Sequence, residues 1–142
     1  MDKLPDWSEK EWNTLLSFGA PNKAYIKAYD EAIKTMDEDS ARQAARLAGW
    51  RMATLCDLLD ARDDILRELN ISKIGLRSSQ TWLGQCQYEL MFAPSEEVRK
   101  LRKNKVKEAE ESVEQEMLEI DTFNARLKEI NPKITELEKL VM

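Results

Sequence analysis

The sequence predicts an all-α protein in which an N-terminal helix-turn-helix domain is followed by a long-helix, coiled-coil or bundle, oligomerisation region. The 142 residues include only 4 Gly and 4 Pro, which is too little turn chemistry for a many-stranded sheet. Charged residues make up 35% of the chain, against about 25% in an average globular domain. We expect a helix-turn-helix domain over residues 1–70, a connector over 71–79 and a helical oligomerisation region over 80–142.

The composition disfavours an enzyme. There are 0 histidines, so histidine-based general-base catalysis and most catalytic zinc sites are excluded. Cys56 and Cys86 stand far apart and suggest neither a disulfide framework nor a metal pair. No apolar run has the length of a signal peptide or of a membrane span. We expect no cofactor, no metal, no membrane contact and a cytoplasmic location, which is the host cytoplasm if the protein is viral.

The first three helices are predicted from their caps. Ser8 and Glu11 form a capping box, and Trp7 and Trp12 flank it as a hydrophobic staple, so a helix should begin here and end near residues 18–19. A second helix is expected over 21–36, with proline in its first turn. The acidic cluster at 37–40 should cap a third helix that begins near residue 41.

Residues 41–58 fit the spacing of a helix-turn-helix unit, in which a tight turn containing glycine joins two short helices. Gly49 is expected to end the first helix in a left-handed conformation. A small residue is needed where the helices touch, and apolar residues are needed at five core positions. The sequence supplies Ala45 as the small residue and Ala44, Ala48, Trp50, Leu55 and Leu58 at the core positions.

The remaining helices are predicted from apolar periodicity. A short helix over 61–69 should close the N-terminal bundle, and another is expected over 80–92, ended by Pro94. Ser95 and the following glutamates open a long helix. We expect Asn131 and Pro132 to cap a separate terminal helix, because proline disrupts a helix interior.

The long helix carries a heptad seam, which we expect to pack either on the 80–92 helix or on another copy of the chain. Left alone, the seam would expose a long apolar stripe to water, so we predict a homo-oligomer. The residues assigned to oligomerisation are Val113, Ile120, Phe123, Leu127, Ile130, Ile134, Leu137 and Val141.

The second helix of the 41–58 unit would meet DNA bases in the major groove, with Arg51 and Thr54 among its exposed residues. Phosphate contacts would come from Arg42, Arg46, Arg62, Lys23 and Lys27. Asp57 and Asp60 lie on the same helix and would repel a polyanion, so the unit has the alternative role of a scaffold.

A second group of cations forms a basic stretch at residues 99–107, and glutamates follow it directly. Three interpretations remain open: a solvated helix face, a surface that tracks phosphates, and charge pairing with the glutamate-rich stretch of a neighbouring subunit. The cations are Arg99, Lys100, Arg102, Lys103, Lys105 and Lys107.

Residues 24–29, 41–50, 58–59 and 64–66 together resemble the N-terminal domain of bacteriophage terminase small subunits. The matching motifs are the aromatic helix with Tyr25 and Tyr29, the A-A-R-x-A-G-W sequence from Ala44 to Trp50, and the Leu58-Leu59 pair. A competing similarity is to the ChaB family of cation-transport regulators, from the Tyr and Ala spacing over residues 25–48. Gly49 interrupts that second pattern.

The terminase resemblance implies a non-enzymatic subunit that binds double-stranded viral DNA as an oligomer and delivers it to a large ATPase packaging subunit. Arg51 and Thr54 would then face DNA. The alternative function is a structural or adaptor protein of a phage or bacterium whose C-terminal helices bind a protein partner, with the helix-turn-helix as scaffold only. A transcriptional regulator is the third possibility.

Overall fold

The computed structural model describes residues 4–141, and within them the chain is all-α, with four helices and no strand. Helix α1 spans Glu9–Leu15, α2 spans Gly19–Ala32, α3 spans Glu38–Met91 and α4 spans Glu96–Val141. The chain divides into two compact units, Met1–Ala61 with Ile130–Met142, and Arg62–Glu129. We call them the N-terminal unit and the hairpin unit and describe each by itself.

The start of α1 confirms the predicted cap and staple. The Glu11 N–H donates to Ser8 Oγ at 3.3 Å, and the Ser8 hydroxyl donates to Glu11 Oε1 at 3.1 Å. The Trp7 and Trp12 rings lie 5.1 Å apart between centroids. The helix ends at Leu15, earlier than predicted, where the Asn22 side chain donates to the Leu16 carbonyl at 2.5 Å.

The turns on either side of α2 follow from local chemistry. Gly19 has φ +78°, a left-handed conformation that glycine adopts without strain, and α2 begins there. It ends at Ala32, four residues before the predicted end. Asp37 then caps α3 by accepting from the Ser40 N–H at 3.4 Å. Hydrogen bonds from Ser40 hold the pKa of the Asp37 carboxyl below its ordinary value.

The predicted turn at Gly49 is wrong, because α3 is a continuous helix of 54 residues that passes through this position. Gly49 is required by packing rather than by a turn. A Cβ there would collide with Leu16 and would lie 3.2 Å from the carbonyl oxygen of Pro21. Glycine therefore lets α3 pass close to the segment that joins α1 and α2.

The break expected at 71–79 is also absent, since these residues are helical. Within the hairpin unit, three contacts between α3 and α4 explain why small and polar residues occur here inside a continuous helix. Ser72 donates to Glu119 Oε2 at 3.3 Å, and the Ser79 and Ser112 hydroxyls are 2.9 Å apart. At Gly75 the carboxylate of Glu116 occupies the space that a side chain would need. The small and polar residues of this segment therefore pack α3 against α4 and do not form a connector between two domains.

Helix α4 begins as predicted, with the Val98 N–H donating to Ser95 Oγ at 3.3 Å. The predicted separation of a terminal helix at Pro132 is wrong, because α4 continues to Val141. Pro132 is exposed, whereas Ile134 and Leu137 on the following turns are buried against Leu55. Burial of these two side chains offsets the backbone hydrogen bond that proline removes.

Candidate nucleic-acid interface

The DNA-facing residues predicted on α3 do not form one surface. At about 100° per residue, Arg42 and Arg51 lie roughly on opposite sides of the helix. Thr54 is half-buried, and its hydroxyl donates to the Trp50 carbonyl at 2.9 Å. Arg62 is half-buried and belongs to the hairpin unit, and its buried Nε has no hydrogen-bond partner among residues 4–141.

Arg46 serves the interior of the N-terminal unit instead of a nucleic acid. Its side chain is 12% exposed, pairs with Glu9 at 2.5 Å and lies over the Trp12 ring at 5.4 Å from the centroid. The hydrogen bond from Arg46, together with its charge, lowers the pKa of the Glu9 carboxyl. Arg42 pairs with Glu38 at 3.2 Å. Arg42 and Arg46 both line a cavity formed by residues of α1, α2 and α3, and each guanidinium group is engaged by a carboxylate.

Arg51 lines a different cavity of about 210 Å³ in the N-terminal unit. Lys27 and Glu31 of α2 and Leu140 of α4 also line it. Arg51 is half-buried, so it is not presented to a major groove in the way that a recognition helix would present it. The prediction that Arg51 opens such a helix is wrong, because the helix has no N-terminus there.

The basic stretch has a geometry suited to an anionic partner. Arg99, Lys100, Lys103 and Lys107 are exposed and lie within an arc of about 100° on α4. Among the described residues, no carboxylate oxygen lies within 4.0 Å of the amino groups of Lys100, Lys103, Lys105 or Lys107. Arg99 approaches Glu96 at 4.0 Å.

Arg102 has a positioning role in the same stretch. Its guanidinium donates to the Glu89 carbonyl at 2.6 Å, near the C-terminus of α3. A cation at that end of a helix also interacts favourably with the helix dipole. This contact ties the start of α4 to the end of α3 and holds the neighbouring lysines on a fixed helix.

Exposed apolar side chains accompany the basic stretch where α3 turns into α4, and none of them was predicted as a functional residue from the sequence. Tyr88 and Phe92 are each more than 60% exposed, with ring centroids 4.9 Å apart. Met91 and Leu101 are also exposed. The i, i+4 spacing of Tyr88 and Phe92 is visible in the sequence, but their exposure depends on the packing of α3 against α4.

The residues assigned to oligomerisation do not form an exposed stripe. All eight seam positions from Val113 to Val141 are buried or half-buried within the single chain. Ile134 and Leu137 join Leu55 in the core of the N-terminal unit. A second copy is therefore not needed to cover the seam, and the homo-oligomer stays a prediction. The seam is covered by the chain's own helices.

Residues 4–141 offer no metal site of acidic or thiol ligands, since no group of three or more such side chains is placed to hold an ion. Within the same range, no helix has an apolar segment of membrane-spanning length. Cys56 and Cys86 are free thiols, half-buried and buried respectively. Comparisons with protein-family models, curated proteins and solved structures found no match to the chain.

Proposed function

We propose that the protein is a non-enzymatic DNA-binding protein that contacts duplex phosphates through the basic stretch at the start of α4. The observation that carries this proposal is the shared, exposed face of Arg99, Lys100, Lys103 and Lys107. The four cations span roughly 12 Å of helix. A duplex of that length carries about seven phosphates, so several cations have phosphates within reach.

The charge distribution makes this contact local. The net charge of the chain is -5, so long-range attraction to DNA is not expected from the molecule as a whole. Binding by the four cations would release condensed counterions from the duplex. We therefore expect modest affinity, little sequence preference and a steep dependence on salt concentration.

The test is a titration of a fluorescent duplex of mixed sequence with the full chain at about 50 and 200 mM salt. A triple variant, Lys100→Gln, Lys103→Gln and Lys107→Gln, removes three cations of the basic stretch. We expect it to weaken binding. The slope of log affinity against log salt should become less steep by about 2.7, since each lost phosphate contact accounts for about 0.9.

The matched control changes three exposed lysines of the N-terminal unit, Lys10→Gln, Lys23→Gln and Lys34→Gln, and so alters the net charge equally. It should retain the affinity and the salt slope of the unmodified protein. Absence of binding at the lower salt, or equal loss in both variants, would overturn the proposal.

A second candidate function is that of an adaptor, favoured by the exposed side chains of Tyr88, Met91, Phe92 and Leu101 beside the α3–α4 turn. Exposed aromatic and methionine side chains are enriched at protein interfaces. The same duplex titration separates the two functions, because an adaptor that recognises a protein through these side chains has no need to bind DNA.

A narrower proposal, recognition of phage DNA as a terminase small subunit, rests on the sequence resemblance alone. The absence of a turn at Gly49 removes the helix pair that carries recognition in that resemblance. This proposal requires a large ATPase partner, and co-purification with such a subunit is its test. Failure to bind the ATPase would leave the proposal of salt-dependent DNA binding unaffected.

A further inference from the structure

The exposed face of α4 changes sign along its length. The cations Arg99, Lys100, Lys103 and Lys107 are followed on this face by acidic and then apolar residues, within an arc of about 120°. The acidic residues are Glu110, Glu111 and Glu114, and the apolar residues are Met117 and Leu118; all five are exposed. We call the region from Arg99 to Leu118 the charged face.

The charged face is complementary to itself when reversed. We propose that it binds the same face of a second copy of this chain, with the two α4 helices antiparallel about a twofold axis near residues 108–109. Lys103 then lies opposite Glu114 of the second copy, and Lys107 lies opposite Glu110. The twofold axis generates each pair twice, because a residue of the first copy that contacts a residue of the second is matched by the reverse contact.

The charges also disfavour the two antiparallel registers shifted by one heptad and a parallel arrangement. Sliding one helix by seven residues in one direction places Lys103 opposite Lys107 of the second copy. Sliding it in the other direction places Glu110 opposite Glu114. A parallel arrangement in register opposes each residue to itself. The antiparallel register with Lys107 opposite Glu110 brings unlike charges together at all four central positions, whereas these three alternatives oppose like charges, so the charges act by repulsion as well as by attraction.

The ends of the charged face add an apolar contribution. In the same register Lys100 lies opposite Met117, and Arg99 lies opposite Leu118. Met117 is 51% exposed and Leu118 is 61% exposed in the single chain. The aliphatic parts of lysine and arginine can cover such side chains while their charged groups stay in water. Beyond Arg99, Glu96 would meet Asp121, so the favourable contact ends there after roughly 28 Å of helix.

This interface uses the cations that the proposed function assigns to DNA, so pairing and DNA binding exclude each other at the charged face. The acidic residues of one copy would occupy the place of phosphates on the other. Pairing is measured without DNA, and DNA binding is measured at protein concentrations too low for pairing. Either proposal can therefore fail while the other stands.

The experiment is sedimentation velocity of the full chain at concentrations up to about 100 µM, since a small and largely charged interface is expected to be weak. We expect reversible dimers at about 50 mM salt and an association constant at least about tenfold lower at about 500 mM salt. A monomer at low salt, or a dimer that does not respond to salt, would overturn the inference.

Charge reversal tests the register directly. One variant, Lys103→Glu with Lys107→Glu, makes the centre of the face acidic; the other, Glu110→Lys with Glu114→Lys, makes it basic. Each alone should be monomeric, whereas an equimolar mixture should form a heterodimer, because all four opposed positions again carry unlike charges. Dimerisation of either variant alone, or no association of the mixture, would contradict the proposed pairing.

A control variant carries the same change in net charge elsewhere on the hairpin unit. Lys73→Glu with Arg77→Glu alters two exposed residues of α3 that are outside the charged face. It should dimerise as the unmodified protein does, with the same response to salt. Loss of pairing in this control would show that net charge rather than the charged face governs association. Circular dichroism of each variant confirms that the helices are intact.

Discussion

The two units of this protein differ in what joins their helices. In the N-terminal unit, buried apolar residues come from all four helices and include Trp12, Ala32, Leu55, Ile134 and Leu137. The buried residues of the hairpin unit come from two helices, and apart from Leu69 they are small or polar, namely Ser72, Ser79, Cys86 and Ala109. A two-helix hairpin cannot enclose a core on all sides, whereas several helices packed together can.

This difference decides where side chains are available for partners. Among the described residues, ten of the fifteen exposed large apolar side chains belong to the hairpin unit, as does the whole basic stretch. In the N-terminal unit, the largely buried guanidinium of Arg46 is engaged by the exposed carboxylate of Glu9. We infer that the N-terminal unit chiefly provides stability and that the hairpin unit provides the binding surface.

The largest expected contrast is between two isoleucines. Ile134→Ala removes a side chain that is 1% exposed in the core of the N-terminal unit, and we expect a loss of about 2–5 kcal/mol in the free energy of unfolding. Ile74→Ala makes the same change at a side chain that is 60% exposed in the hairpin unit, so the loss should stay within about 0.5 kcal/mol. Urea denaturation followed by circular dichroism measures both losses. Similar losses in the two variants would contradict the difference in burial between Ile134 and Ile74.

Two glycines of α3 should respond with opposite signs. Gly49→Ala places a methyl group against Leu16 and the Pro21 carbonyl, so overpacking should exceed the gain in helix propensity, for a net loss of about 1–2 kcal/mol. At Gly84 in the hairpin unit a methyl group would meet no neighbouring atom within 4 Å, so Gly84→Ala should stabilise by about 0.5–1 kcal/mol. Thermal denaturation measures both changes, and stabilisation by Gly49→Ala would contradict the close approach at Gly49.

The hydroxyl pair of the hairpin unit gives a smaller effect. Ser79→Ala leaves the Ser112 hydroxyl without its partner, and we expect a loss of about 1 kcal/mol. The double variant, Ser79→Ala with Ser112→Ala, removes both polar groups and should be close to neutral. A double-mutant cycle by thermal denaturation tests this, and additive losses would show that the two hydroxyls do not stabilise each other.

The ion pair of the N-terminal unit should give the smallest effect, and one that depends on pH. Because the pKa of Glu9 is lowered, its ion pair adds to the free energy of unfolding above the ordinary glutamate pKa. This stabilisation is lost as the pH falls through the lowered pKa. The stability difference between the unmodified protein and Glu9→Gln should therefore shrink between pH 7 and about pH 3. A difference that stays constant over this range would mean that Arg46 does not stabilise the charged form of Glu9.

Local sequence signals predicted the features that depend on neighbouring residues. Ser8 and Glu11 are three positions apart, and the start of α4 follows from Pro94 and Ser95, so both helix beginnings could be placed from the sequence. The helical spacing of the α4 seam predicts that it is buried, but it does not distinguish burial by the chain's own helices from burial by a second copy.

Features that depend on distant residues could not be predicted in the same way. Glycine fits either a helix end or a close helix contact, and Leu16 is 33 positions away from Gly49. Arg46 could equally face DNA or a carboxylate until Glu9, 37 positions away, is placed beside it. The common face of Lys100, Lys103 and Lys107 was within reach of the sequence, because helical spacing alone gives it.

The most direct test of the central claim is an NMR titration of the uniformly ¹⁵N-labelled full chain with duplex DNA at low salt. We expect backbone amide shifts to change most at residues 99–107 of α4 and to change little at residues 42–54 of α3. Changes concentrated at residues 42–54, with residues 99–107 unaffected, would contradict the assignment of the binding surface to the hairpin unit.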